Sequence, residues 1–293
     1  MIYLNKNKYL YFVWILFALL YLPVSCQNIK DKDFTIVHSL SPLLKEVSGI
    51  TYDPENRLLF AVNDSGNDNN IFALNTKGQI INQYTVKGVY NKDWEAISLD
   101  SQNNLYIGDF GNNKNERKDL KIYKISSISS AKPVVKTISF TLSDQKAFPP
   151  KKKGRNFDIE AFIIMKDHIF LFSRNRGSDF NGNTKIYQLL NQPGTQTAEL
   201  ITTLFIGNDD KDCFITDAAI NSKGNKIVLL TYNKVMILDS FKKDSFWDGT
   251  LSKIKLNHSS QKEGITFLND STLLITDEKK KSNGNYLYKY QLD

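Results

Sequence analysis

One short pattern returns five times along the chain. A small or acidic residue precedes Gly or Ala, and an apolar β-former follows. The copies are Ser48-Gly49-Ile50, Glu95-Ala96-Ile97, Glu160-Ala161-Phe162, Asp217-Ala218-Ala219-Ile220 and Glu263-Gly264-Ile265. Their apolar residues stand 47, 65, 58 and 45 positions apart. A four-stranded propeller blade takes about 40–50 residues, and longer intervals imply long loops. Each copy leads into a turn such as Asp53-Pro54-Glu55-Asn56 or Ser222-Lys223-Gly224-Asn225. A second apolar strand comes next: RLLFAVND, NLYIGDFG, HIFLFSRN, KIVLLTYN, TLLITDE. Then come a polar loop and a third strand: IFALN, KIYKI, KIYQLL, KVMILD, YLYKYQL. QIINQYTV, VVKTISFTL, ELITTLFI and KIKL supply a fourth strand in the first four copies.

The last copy stops at its third strand, and FTIVHSL at 34–40 is a strand without a copy of its own. Joined to the C-terminal blade it closes the ring and removes an exposed sheet edge. The expectation is therefore an all-β chain, a β-propeller of four-stranded antiparallel blades. Five blades are counted and the longer intervals leave room for a sixth. A β-sandwich with chance local similarity is the competing fold. Hydrophobic residues make up 41% of the chain, enough for a packed core, and 14 Tyr and 18 Phe suit half-buried pleated surfaces.

Residues 1–25 have the three parts of a signal peptide. Lys6 and Lys8 give a positive start, Tyr9 to Leu22 is an uncharged apolar run, and Pro23-Val24-Ser25 precedes Cys26. Fourteen apolar residues fall short of the roughly 20 that span a bilayer as a helix. An uncleaved N-terminal anchor is the alternative. Leu22-Pro23-Val24-Ser25-Cys26 resembles a lipobox, with Pro23 where leucine is usual. Cleavage there leaves Cys26 to carry acyl chains, and two or more chains make a stable anchor. Only Cys26 and Cys213 exist, so lipidation of the first leaves the second as a buried thiol in an apolar stretch. A Cys26–Cys213 disulfide is the lesser alternative. The expected division is a leader at 1–25, a polar tether at 26–33 and a single propeller domain at 34–293. The expected location is extracytoplasmic, at the outer membrane or cell surface.

Formal net charge is +7, and removing Lys6 and Lys8 leaves 7 − 2 = +5. The runs Lys151-Lys152-Lys153 and Lys279-Lys280-Lys281 sit among polar, Pro and Gly residues, as solvated loops do. No nucleic-acid fold signature accompanies them, and no nucleic-acid partner is expected.

The segments EVSGITYDPENRLLFAVND, IFALNTKGQIINQYTV and DWEAISLDSQNNLYIGD resemble the SdiA-regulated family of envelope-associated propellers. NFDIEAF, ITDAAINSKGNKIVLLTY and KEGITF are similar to repeat starts in related bacterial propellers, esterase-like phytase domains among them. The resemblance covers roughly residues 45–292. It implies a propeller and brings no catalytic residues with it.

In a propeller the first strand of every blade lines the central channel, so strand starts converge. That gathers Glu95, Glu160, Asp217 and Glu263, with Asp93 and Asp158 two residues before the first two and Trp94 beside Glu95. Asp64, Asp109 and Asp277 end second strands and are candidates for the rim, with Arg174 at the matching place of the third copy. Crowded carboxylates need protons, cationic partners or a bound cation. Oxygen-rich sets suit Ca²⁺, which takes six to eight oxygen ligands. Glu95, Glu160, Asp217 and Glu263 form the candidate metal set. The competing reading is structural: each acid accepts backbone N–H bonds and orients its repeat, and repetition favours a scaffold device.

Asn63-Asp64-Ser65-Gly66-Asn67-Asp68-Asn69 lacks the closing Glu and the helices of an EF-hand, and reads as an Asx-rich turn. Asp109-Phe110-Gly111 has no kinase loops around it and reads as a turn. His38, His168 and His258 are the only histidines, none opens a repeat, and no G-x-S-x-G elbow exists. A His-based triad is not expected. Two functions fit. One is a binding or scaffold lipoprotein, membrane-held through Cys26, that presents a face to a protein, glycan or small ligand, with Ca²⁺ at the channel. The other is a metal-dependent hydrolase of a phosphoester, lactone or ester. Trp94 could stack on a planar ligand or pack between blades. Replacement of the lipidation site tests the anchor. A Cys26→Ser chain should fail to take up an alkyne-tagged fatty acid and should leave the membrane fraction, whereas retention of both would contradict lipidation.

Overall fold

A computed structural model describes residues 34–207, 213–242 and 245–292. The leader, Cys26 and the tether lie outside the described residues. The fold is all-β and propeller-like, built from four-stranded antiparallel units in chain order. The first unit is β2 (Val47–Asp53), β3 (Leu58–Asn63), β4 (Asn70–Leu74) and β5 (Ile80–Thr85). The second is β6 (Trp94–Leu99), β7 (Leu105–Asp109), β8 (Leu120–Ser126) and β9 (Val134–Leu142). The third is β10 (Asp158–Met165), β11 (His168–Arg174), β12 (Asn183–Leu190) and β13 (Gly194–Phe205). The fourth is β14 (Asp217–Ile220), β15 (Ile227–Leu230), β16 (Lys234–Asp239) and β17 (Thr250–Lys255). The last holds β18 (Lys262–Asn269), β19 (Thr272–Asp277) and β20 (Tyr286–Gln291), and its fourth strand is β1 (Phe34–Ser39), paired antiparallel with β20.

First strands lie side by side: β2 by β6, β6 by β10, β10 by β14, β14 by β18, and β18 by β2. Between them the core is divided into clusters that each span two units. Phe60, Val62 and Ile71 of the first unit pack on Ile97, Ile107 and Tyr123 of the second. Leu274 and Leu287 of the last unit pack on Leu59, Ala61 and Phe72 of the first. The inner strand β2 is buried on both faces, whereas the outer strand β5 is buried on neither.

The second and third units share an edge that the repeat pattern does not foretell. The last strand of the third copy begins at Gly194, five residues before the expected Glu199. That extension, Gly194–Ala198, pairs in parallel with Ile138–Leu142 of β9, and the two units form one eight-stranded sheet. Two exposed edges are thereby covered.

The recurring small residue has a steric cause. A Cβ on Gly49 would stand 2.9 Å from both the Ala96 Cα and the Ile97 nitrogen, all backbone that cannot step aside. At position 49 only Gly fits, because the neighbouring first strand passes this closely. The acidic residue before it has a cause too. Pairing slips by one between Val47 and Gly49, Trp94 and Ala96, Ile159 and Ala161, and Lys262 and Gly264. Ser48, Glu95, Glu160 and Glu263 are thus the extra residues of β-bulges, which bend a strand and re-aim a side chain. Gly49→Ala should cost about 1–3 kcal/mol, as overpacking against fixed neighbours does, read as a lower urea midpoint at unchanged slope. An unchanged midpoint would contradict the close approach.

Candidate metal centre at the starts of the first strands

The two sets of sequence candidates meet at one end because paired strands are antiparallel. Trp94 faces Asp109, Asp158 faces Arg174, and Lys262 faces Asp277 across their ladders. The start of each first strand and the end of each second strand therefore share a mouth. The side chains do not all serve it alike.

Half of the mouth is internally neutralised. Glu160 is 2% exposed, and its Oε1 accepts from Arg174 at 3.3 Å and from Arg176 at 3.0 Å. Asp158 is fully buried, accepts the Asn112 N–H at 2.5 Å and pairs with Nε of Arg176. Arg174 lies over the Phe214 ring at 4.8 Å and donates to the Tyr232 hydroxyl at 2.9 Å. Burial pushes the Glu160 carboxyl well above the usual range, against the pull of the Arg174 charge.

The other half has no such cations among the described residues. One carboxylate oxygen from each of Asp64, Asp93 and Glu95 lies within 4.8 Å of the others. Local chemistry sets this triad. The bulge turns Glu95 inward. Asn91 donates to the carbonyls of Asn63 and Asp64, both at 2.9 Å, and accepts the Trp94 N–H at 3.1 Å. That side chain ties the end of β3 to the entry of β6 and so sets Asp64 beside Asp93. Asn67 reaches back to the Asp64 carbonyl at 3.1 Å and to Glu46 at 2.7 Å. The Asx-rich turn is therefore a positioning device for Asp64. Gly111 forms the floor, since a Cβ there would collide with the carboxylates of Glu95 and Asp93.

Crowding without cations shows in the protonation equilibria. Burial, and then the Asp64 charge, push Asp93 up to about 6. Burial and the charges of Glu160, Asp64 and Asp93 push Glu95 well above the carboxylate range. Glu263 is pushed up to about 7 by burial despite Arg174, and Glu278 up to about 8 by burial and then by Glu263. Carboxylates this hard to ionise favour either protons or a cation. Three such oxygens suit Ca²⁺ or another hard divalent ion with positions left for other ligands.

Other candidates are engaged elsewhere. Asp217 gives one oxygen to the Ala218 N–H and the other to the Ile265 N–H, both at 2.8 Å, and so clips β14 to β18. Asp277 accepts the Tyr286 N–H at 2.8 Å and the Tyr288 hydroxyl at 2.7 Å. Asp109 pairs with Arg117 at 2.9 Å and accepts the Asp93 N–H at 3.2 Å. Trp94 is fully buried in the cluster between the first two units. Cys213 is buried and its thiol donates to the Ile206 carbonyl at 3.5 Å. Sequence reasoning passed over Arg176 and Glu278. Both sit one or two residues beyond a strand end that was singled out, where alternation returns a side chain to the mouth.

Residues 27–148 match the family model of the SdiA-regulated proteins, the family that the sequence resembles. No curated protein matches the chain. Among solved structures it is similar to a gluconolactonase of Xanthomonas campestris, at 12% identity over 89% of each chain with a TM-score of 0.48. A second similar structure, of a protein proposed to be a gluconolactonase, shares 9% identity over 88% of this chain and 91% of its own, with a TM-score of 0.49.

Raised carboxyl values make the folded state bind more protons than the unfolded one. Their contribution to stability is complete below the ordinary carboxylate range and is lost as pH rises through about 6 to about 8. In EDTA the urea midpoint should fall between about pH 5 and about pH 8.5, and the double change Asp93→Asn, Glu95→Gln should flatten that fall. A midpoint that rises over this window would contradict the electrostatic account.

Proposed function

We propose that this chain, whose residues 27–148 match the SdiA-regulated family, is an exported five-bladed propeller that binds one divalent cation, Ca²⁺ by the chemistry of its ligands, at its axial mouth. Asp64, Asp93 and Glu95 hold the ion. The ring reading is supported by the neighbour relations of the first strands, which return from β18 to β2, and by the pairing of β1 with β20. The cation reading rests on one observation: three carboxylate oxygens lie within 4.8 Å of one another, and no basic side chain among the described residues is bonded to them. Leader cleavage and lipidation of Cys26 then keep the domain at an extracytoplasmic membrane surface. There it acts as a binding module for a protein, glycan or small molecule that completes the coordination of the ion. Added CaCl₂ should raise the midpoint of thermal unfolding, by about 2.7 kcal/mol of stabilisation at a hundredfold excess over Kd. The rise should vanish in Asp93→Asn and in Glu95→Gln. No response of the wild-type protein to Ca²⁺ or EDTA would overturn the reading.

A metal-dependent hydrolase is the second reading, favoured by the coordination number. Binding through one oxygen each, three carboxylates leave at least three of the six to eight Ca²⁺ positions for water and substrate. In that case lactone, ester or phosphoester hydrolysis depends on the ion and is lost in Glu95→Gln. The binding reading expects no hydrolysis with or without Ca²⁺.

A further inference from the structure

The fourth unit breaks the pattern of the mouth. Its first strand starts at Asp217, and its ladder with β15 runs without a bulge. Both Asp217 oxygens are held by backbone amides. Among the described residues, no carboxylate of this unit therefore projects between Glu160 of the third unit and Glu263 of the last. The side chain of Arg174 fills the gap. It starts in the third unit and crosses the aromatic rings of the fourth, Phe214 at 4.8 Å and Tyr232 at 5.4 Å. It bonds Tyr232 and Glu160, its charge is the main one relieving Glu263, and only 9% of the side chain is exposed. Its Nε is buried and has no hydrogen-bond partner among the described residues. Two neutral oxygens in the first and last units are also buried without partners among the described residues. They are the hydroxyls of Ser48, the bulge residue of the first unit, and Thr276, opposite Gly264.

We infer that Arg174 is a resident counter-ion standing where a second divalent ion would bind between Glu160 and Glu263, and that it limits the mouth to one ion. This rests on the reading that Asp64, Asp93 and Glu95 hold the first. The consequence is chemical. A pair of metal ions about 3.5–4 Å apart clamps both the attacking and the leaving oxygen of a displacement. Here a ligand meets one ion and a fixed guanidinium, which attracts an anionic group but carries no exchangeable water. A single-ion centre of this kind orients or polarises its ligand. Arg174 is a positioning residue in it.

Removing the charge should create a site, which damage to the fold cannot imitate. In equilibrium dialysis against CaCl₂, the wild-type protein should bind one ion per chain and Arg174→Gln two. Arg174→Lys, which keeps the charge, should bind one. If Arg174→Gln does not fold, Arg174→Met, which keeps the stem over the rings, carries the same test. One ion in wild type and one in the uncharged variants overturns the counter-ion role and leaves the first site standing. No ion in wild type overturns the first site. One ion in Arg174→Gln would then uphold the counter-ion role by itself, and none would overturn both.

Discussion

The backbone of β2 runs against that of β6 at a separation that leaves no room for one more carbon on Gly49. Much else follows from this contact. Strands so close admit only Gly at this crossing, which explains the small residue of the first copy. A strand that must bend to keep the approach does so through a bulge, and the bulged residue no longer follows the alternation of the sheet. Glu95, Glu160 and Glu263 owe their place at the mouth to that slip in register. A packing requirement of the scaffold thus delivers acidic groups to a shared point.

Delivering them has an electrostatic cost. Two like charges about 4 Å apart repel by roughly 4 kcal/mol at an effective dielectric constant near 20. The molecule answers in two ways. In one half of the mouth Arg174 and Arg176 bond Glu160 and Asp158. In the other, Asp64, Asp93 and Glu95 share a small space with no bonded basic side chain among the described residues, and protonation is displaced upward. Asp217, Asp109 and Asp277 show a third use of acid, as acceptors for backbone or partner side chains. Identical residue types at equivalent places thus act as clamp, ion pair or uncompensated acid. The number of neighbouring donors decides which.

Strand positions were legible in the sequence because alternation and turn residues are local. Residues 134–142 and 234–239 are the strands the pattern foretells, and the spare strand at 34–40 pairs with the last one. The long start of β13 was not legible, since Gly194–Ala198 finds its partner in a strand over fifty residues away. The site was legible in part. Repeat position pointed to Glu95 and Asp93, and strand ends pointed to Asp64. Which acids stay open depends on donors such as the Ile265 amide and Arg117, distant or unmarked in the sequence. Asn91, which sets Asp64 against Asp93, gives no signal beyond being an asparagine in a loop.

The most direct test of a cation between Asp64, Asp93 and Glu95 is anomalous scattering from crystals grown with Mn²⁺ in place of Ca²⁺. The account predicts one strong peak in contact with those three carboxylates. A clean map at that position, or a peak bound only by other residues, would contradict it.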